Sequence, residues 1–348
     1  MPPDKILVLA PNWVGDVVMA TPAFRALRAS FPAAEITLVI RPYVRKVLDG
    51  APWFDRIVPF DRRRKGSLAD AVRVIRRFRA QGFDLAVVFP NAFSTALLAR
   101  LGGARKRVGY VRDRRAFLLT KAIPRPGEEP GGPGAFQPVY MADYYLDLAK
   151  AAGAEPAGRL LELFLTPETE RKTRALFSDL GVGDRDRLVG LNPGAAFGSS
   201  KCWMPERFAE AGDRLAERLG ARCLVLAGPG EEEVQRTIAS SMRSGPLVPP
   251  PEAVPLDVLK GVVARLDLLV TNDTGPRHFA NAFRVPSVVL MGPTDPRYTH
   301  SGDERAVVLR ADVDCGPCHL KTCPTDHRCM KALTPGMVVE AAEALLSP

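Results

Sequence analysis

The sequence predicts an α/β protein built of two doubly wound domains. Short apolar runs alternate with helical patterns, as in parallel sheets covered by helices on both faces. The alternation restarts after a break at residues 153–167 that contains Gly153, Pro156, Gly158 and Pro167. Small polar segments fall where strands give way to helices. In the first half, strands are expected at residues 5–10, 36–40, 56–60 and 84–89, with helical patterns at 17–30, 44–48 and 67–81 between them. Residues 124–138, rich in Pro and Gly, read as a surface loop. A helix at 140–152 leads into the break, and beyond it come a strand at 188–191, a helix at 208–219, a strand at 222–227, a helix at 232–242 and a strand at 266–271. The expected domains are residues 1–160 and 161–348, with no internal repeat.

A chain of 348 residues suits two domains of ordinary size, each with its own core. No apolar stretch nears the roughly 20 residues that span a bilayer. The start, Met1-Pro2-Pro3-Asp4-Lys5, runs directly into an apolar strand without the pattern of a signal peptide, so a cytoplasmic protein is expected. The formal net charge of +9 is uneven. Residues 1–165 hold 26 Lys and Arg against 15 Asp and Glu, a balance of +11, and the remainder holds 22 against 24, a balance of −2. The excess gathers in Arg62, Arg63, Arg64 and Lys65, and in Arg105, Lys106, Arg107, Arg112, Arg114 and Arg115. Two such clusters on one domain favour an anionic partner; the plainer alternative for each is a solvated face.

Four segments at strand-to-helix junctions carry candidate chemistry. Asn272-Asp273-Thr274-Gly275-Pro276-Arg277-His278 follows a buried strand and opens a helix, with Thr274 as expected N-cap and Pro276 at the first helical position. A helix N-terminus there attracts phosphate, and Gly275 allows close approach to the backbone; ordinary capping is the alternative. Pro11-Asn12-Trp13-Val14-Gly15-Asp16 sets a carboxylate at another helix start, either a cap or a general base. The loop from Asn192 through Gly194 to Lys201 can offer backbone N–H groups and a point charge to a diphosphate, although it lacks the Gly-Lys-Ser/Thr triplet of a nucleotide-triphosphate loop. Gly228-Pro229-Gly230-Glu231-Glu232-Glu233 could hold a sugar hydroxyl, but acidic residues in a first helical turn are commonplace and that reading is preferred.

Together, Trp13-Val14-Gly15-Asp16, Pro90-Asn91-Ala92-Phe93-Ser94, Pro193-Gly194-Ala195 with Lys201 and Trp203, and Asn272-Asp273-Thr274-Gly275 with His278 resemble glycosyltransferase family 9. The resemblance runs in order over residues 4–346. It implies a GT-B fold, two Rossmann-like domains facing a central cleft, with the acceptor on the N-terminal domain and an ADP-sugar on the C-terminal one. It implies Asp16 as the base of an inverting transfer. Gly194, Lys201, Asp273, Thr274, Gly275 and His278 fall on the donor side, and Asn91, Ser94, Arg62 and Arg63 on the acceptor side. The implied reaction moves heptose from ADP-heptose to the lipopolysaccharide inner core, and residues 90–94 tilt the step towards the second heptose rather than the first. The acceptor's Kdo carboxylates and lipid A phosphates suit the basic N-terminal half, so peripheral, salt-sensitive association with the cytoplasmic face of an anionic inner membrane is expected. Catalysis is expected to need no cofactor, since no aspartate cluster able to grip a nucleotide-bound magnesium is evident.

Cys315, Cys318, Cys323 and Cys329, with His319 and His327 among them, lie within fifteen residues and could hold a structural zinc; packed, reduced thiols are the alternative. Cys202 and Cys223 read as ordinary buried cysteines. A zinc-bearing nucleic-acid binder is a different class of reading, but finger spacing and an aromatic-rich recognition strand are missing, so no nucleic-acid partner is expected. A nucleotide-sugar epimerase would share the donor site without requiring Asp16.

Overall fold

The computed structural model describes residues 1–61, 67–126 and 137–347. It divides into two compact units, Met1–Phe164 and Leu165–Pro348. The first unit runs β1 (Lys5–Leu9), α1 (Val14–Met19), α2 (Thr21–Ser30), β2 (Glu35–Ile40), β3 (Arg56–Pro59), α3 (Ser67–Gln81), β4 (Leu85–Val88), α4 (Phe93–Leu101), β5 (Lys106–Tyr110), β6 (Lys121–Ile123) and α5 (Met141–Ala151). Among the described residues its six strands form one parallel sheet in the order β3-β2-β1-β4-β5-β6. Ile6, Leu7 and Val8 are wholly buried, the position expected of a central strand covered on both faces.

The expected helix at 17–30 is two helices, and Pro22 is the reason. Its missing N–H cannot bond to the Val18 carbonyl, which instead accepts from the Thr21 hydroxyl at 2.7 Å. The pattern at 44–48 is a 3-10 helix, Pro42–Leu48. Three elements escape the sequence pattern: α4, which is apolar nearly all round, and β5 and β6, whose Lys106, Arg107 and Lys121 read as surface charge. Beneath the sheet Phe24 packs edge-on to Phe54 and Phe89, with ring centroids 5.2 and 5.3 Å away.

The second unit runs α6 (Pro167–Asp179), β7 (Leu188–Asn192), α7 (Pro205–Leu219), β8 (Arg222–Val225), α8 (Glu232–Ser241), α9 (Leu256–Arg265), β9 (Leu268–Asn272), α10 (Gly275–Ala282), β10 (Ser287–Leu290), β11 (Ala306–Leu309), α11 (Arg328–Lys331) and α12 (Pro335–Leu346). Its five strands, again among the described residues, are parallel in the order β11-β10-β9-β7-β8. The pattern missed β10 and β11, four residues each, and the helices α6, α9 and α12. Trp203 and Phe208, both fully buried, join Leu191, Val270, Leu290 and Val338 in the core of this unit.

Phe24→Ala should lower the stability of the first unit by about 3–5 kcal/mol, the usual range for truncating a fully buried aromatic. Chemical denaturation should show the first unit's transition moved to lower denaturant, with the second left in place.

Candidate functional site

Winding reverses at the first strand of each sheet. The chain goes outward from β1 to β2 and β3 and returns to β4 on the other side, and likewise leaves β7 for β8 and returns to β9. Loops at the carboxyl ends of such a strand pair splay apart and leave a crevice. The segments holding Asp16, Asn91 with Ser94, Gly194 with Lys201, and Asp273 with His278 follow β1, β4, β7 and β9 in turn.

In the first unit Asp16 stands in the first turn of α1 but does not cap it, because Trp13 occupies the N-cap position. Its Oδ1 accepts a 2.7 Å hydrogen bond from the Tyr145 hydroxyl on α5. Burial, and then the neighbouring Asp16 charge, push that phenol well above its usual range, so it remains a donor. Across the reversal Asn91 is held at both ends of its side chain. It donates to the Tyr144 hydroxyl at 2.9 Å and accepts from Arg115 Nη2 at 3.1 Å. Arg115 is completely buried, with Nε donating to the Tyr110 carbonyl at 3.0 Å and Nη1 to that of Pro90. Burial draws its pKa down to about 10, which leaves it charged at neutral pH. Ser94 is half-buried in the first turn of α4. Arg62 and Arg63 lie outside the described residues.

The second unit holds the denser network. Asp273, at 3% exposure, receives Lys201 Nζ on Oδ2 at 2.6 Å, the Thr294 hydroxyl on Oδ2 at 2.7 Å and Arg277 Nη1 on Oδ1 at 2.9 Å. Burial alone would raise its pKa; Lys201 and Arg277 outweigh that and hold the carboxyl far below the ordinary range. Lys201 Nζ also donates to the Asp273 carbonyl at 2.9 Å and lies 5.0 Å from the centre of the Phe197 ring. Arg277 reaches Thr299 at 3.1 Å and Glu304 at 3.4 Å, and Glu304 also receives Asn281 at 3.1 Å. His278 is buried, and no group among the described residues bonds its Nδ1. Burial, then Arg277, depress its pKa to about 3, so the imidazole is neutral.

Thr274 does hold the N-cap position of α10, but its side chain makes no capping bond, and Gly275 rather than Pro276 is the first helical residue. The first N–H groups of α10 thus lack the expected side-chain cap. The Glu231 carboxylate accepts the Gly228 N–H at 2.7 Å and lies against Gly194, where a Cβ would meet it at 2.0 Å. Glu231, read from the sequence as part of a commonplace acidic turn, thus also lies against the loop that carries Gly194. Arg115, counted with the basic cluster expected to meet an anionic partner, is instead buried and spent on main-chain carbonyls, and Tyr145 and the Thr294–Thr299–Glu304 set were missed, because their roles arise from partners distant in sequence.

The loop at 315–329 braces this half-site. The Lys321 carbonyl accepts the Ser200 N–H at 3.0 Å, His327 Nε2 lies 2.7 Å from the Ser200 carbonyl, and a Cβ on Gly198, whose φ is +153°, would meet the Lys321 oxygen at 2.2 Å. Cys315, Cys318, Cys323, Cys329 and His327 line one cavity of about 80 Å³, yet no three Cys, His, Asp or Glu side chains among the described residues stand as a metal shell. Cys223 is buried as expected, whereas Cys202 is partly exposed.

Residues 71–328 match the model of glycosyltransferase family 9, the heptosyltransferases. The chain is 27% identical to lipopolysaccharide heptosyltransferase 2 of Salmonella typhimurium, over 99% of each. Among solved structures, ADP-heptose lipopolysaccharide heptosyltransferase II of Escherichia coli superposes with a TM-score of 0.79 at 26% identity over 98% of each chain. A family 9 glycosyltransferase of Veillonella parvula gives 0.85 at 25% identity, covering 99% of this chain and 97% of that one.

The depressed His278 pKa predicts a pH dependence. The unfolded chain takes up a proton near pH 6.5 and the folded one only near 3, so the stabilisation is complete above pH 6.5 and is lost as pH falls towards 3. Denaturation midpoints from pH 7 to 4 should fall, and His278→Gln should flatten that slope.

Proposed function

The chain belongs to glycosyltransferase family 9, and from that premise we propose that it transfers L-glycero-D-manno-heptose from ADP-heptose to the first heptose of the lipopolysaccharide inner core. That it is a glycosyltransferase follows from the family. The second-heptose step is supported by the full-length similarity to heptosyltransferases 2, and one observation carries the chemistry: a carboxylate on one strand-reversal crevice and a diphosphate-type cradle on the other.

A sugar hydroxyl is a weak nucleophile at neutral pH, so transfer calls for a carboxylate that takes its proton as the new bond forms. Asp16 fills that role, with the Tyr145 hydroxyl fixing Oδ1 and so orienting the carboxylate. As the acceptor oxygen attacks the anomeric carbon with inversion, the bond to the β-phosphate breaks and ADP leaves with the electron pair. Lys201 meets the growing phosphate charge. An ammonium has three N–H donors, and Asp273 engages two of them through Oδ2 and its carbonyl, leaving the third for a phosphate oxygen. The N–H groups of residues 194–200 and the start of α10 add to it, and Glu231 is placed to accept from a ribose hydroxyl. Neutral His278 contributes an imidazole with no charge of its own. The acceptor side is assigned Asn91 and Ser94, with Arg62 and Arg63 for its anionic groups. A structural zinc at the cysteine loop is a separate proposal, supported by four thiols around one cavity. Metal analysis of the purified protein tests it: about one zinc per chain supports it and none dismisses it.

Transfer should be assayed from ADP-L-glycero-β-D-manno-heptose to Kdo2-lipid A with and without its first heptose. Activity only on the heptose-bearing acceptor is expected; activity on the heptose-free one moves the protein to the first step, and none on either removes the substrate assignment. Asp16→Asn should lower kcat by about 10²- to 10⁴-fold while ADP binding persists. Lys201→Met should instead weaken ADP binding, read by calorimetry.

A further inference from the structure

We infer that the outer surface formed by Phe93 and Phe117 is a docking face for an anionic lipid bilayer. Most large apolar side chains on a soluble protein surface stand alone and need no explanation. These two do not stand alone. Phe93 is 39% exposed and Phe117 is 67% exposed, and their rings pair outside the core with centroids 6.1 Å apart. Val111, at 40% exposure, begins the turn that carries Phe117.

The surroundings select the occupant. From Phe93 to Lys121 the sequence has, besides the buried Arg115, seven basic residues and a single acidic one, Asp113. Arg100, Arg112 and Arg114 are exposed, and Arg100 Nη1 donates to the Phe117 carbonyl at 3.3 Å, fixing a cation beside the ring. Aromatic rings that settle at the headgroup boundary, ringed by arginines that pair with anionic lipid, are the composition of a peripheral membrane contact. No helix among the described residues is long and apolar enough to cross a membrane, so the contact is superficial. The face is also held in shape. Arg115, two residues before Phe117, is buried and bonded to the main chain at Tyr110 and Pro90, which locks the turn to the segment preceding Phe93. A rigid aromatic pair loses little side-chain freedom on binding.

This face adjoins residues 90–94, so docking there brings a lipid-linked acceptor to its half-site; that consequence rests on the proposed function, whereas the docking itself does not. The test uses the full chain and vesicles free of lipopolysaccharide and donor, so failure of heptose transfer and failure of docking are separate results. Co-sedimentation should show binding to phosphatidylethanolamine vesicles containing phosphatidylglycerol, little binding to phosphatidylcholine alone, and weakening as salt rises from 50 to about 300 mM. Phe117→Ser and the pair Arg112→Glu with Arg114→Glu should each reduce anionic-vesicle binding at least about tenfold, with unchanged melting temperature because these side chains are exposed. Wild-type binding by both variants overturns the inference, as does equal affinity for phosphatidylcholine. If Phe117→Ser instead converts a dimer to a monomer in ultracentrifugation without affecting vesicle binding, the face joins two copies of the chain and the proposal fails.

Discussion

Reversal of winding at one strand pair in each sheet forces the main chain apart at its carboxyl end, where ladder hydrogen bonds stop and backbone groups need other partners. Long polar side chains supply them. Between β7 and β9, Asn272 donates to the Pro193 carbonyl at 2.6 Å while accepting from the Trp203 N–H at 3.2 Å, and Asn192 donates to the Thr271 hydroxyl at 2.9 Å. At the carboxyl ends of β4 and β5 the buried Arg115 does comparable work for Pro90 and Tyr110. Each crevice is thereby open to a ligand without being loose, and the chemically useful side chains inherit a fixed floor.

Charge balance in the second unit follows from the same burial. Asp273 is too deep to be ionised alone, and Lys201 and Arg277 make its charge tolerable. Arg277 in turn is balanced by Glu304, so the four groups together are near neutral before any ligand arrives. Lys201 is therefore not a loose cation awaiting phosphate. It is an oriented one, whose direction Asp273 sets.

Much of this was legible in the sequence, for identifiable reasons. Strands buried on both faces, such as β1 and β9, leave continuous apolar runs, and helices with one wet face leave a period, as α3 and α7 do. The loops after those strands are marked by Gly, Asn and Asp, so Asp16, Lys201 and Asp273 could be picked out in place. What failed was whatever depended on a partner far along the chain. The two-helix break is the local exception: the Thr21 hydroxyl, three residues from the Val18 carbonyl, replaces the N–H that Pro22 lacks. Tyr145 lies 129 residues from Asp16, and Glu231 reads as a helix start until Gly194 is seen against it. Strands β5 and β6 sit at the margin of the sheet, where basic residues are tolerated and disguise them.

The brace on Ser200 has a consequence for how this chain can change. Two of its three bonds from the cysteine-bearing loop come from the carbonyls of Leu320 and Lys321, that is, from main chain that every residue type possesses; the third is to the His327 side chain. Side chains at 320 and 321 are thus at liberty to drift, and Leu320, at 45% exposure, has no core to satisfy. Gly198 has no such latitude, since the oxygen that accepts from Ser200 occupies the space any larger residue would need. The pose of the loop carrying Lys201 is insured against substitution at 320 and 321 and exposed to it at Gly198 and His327.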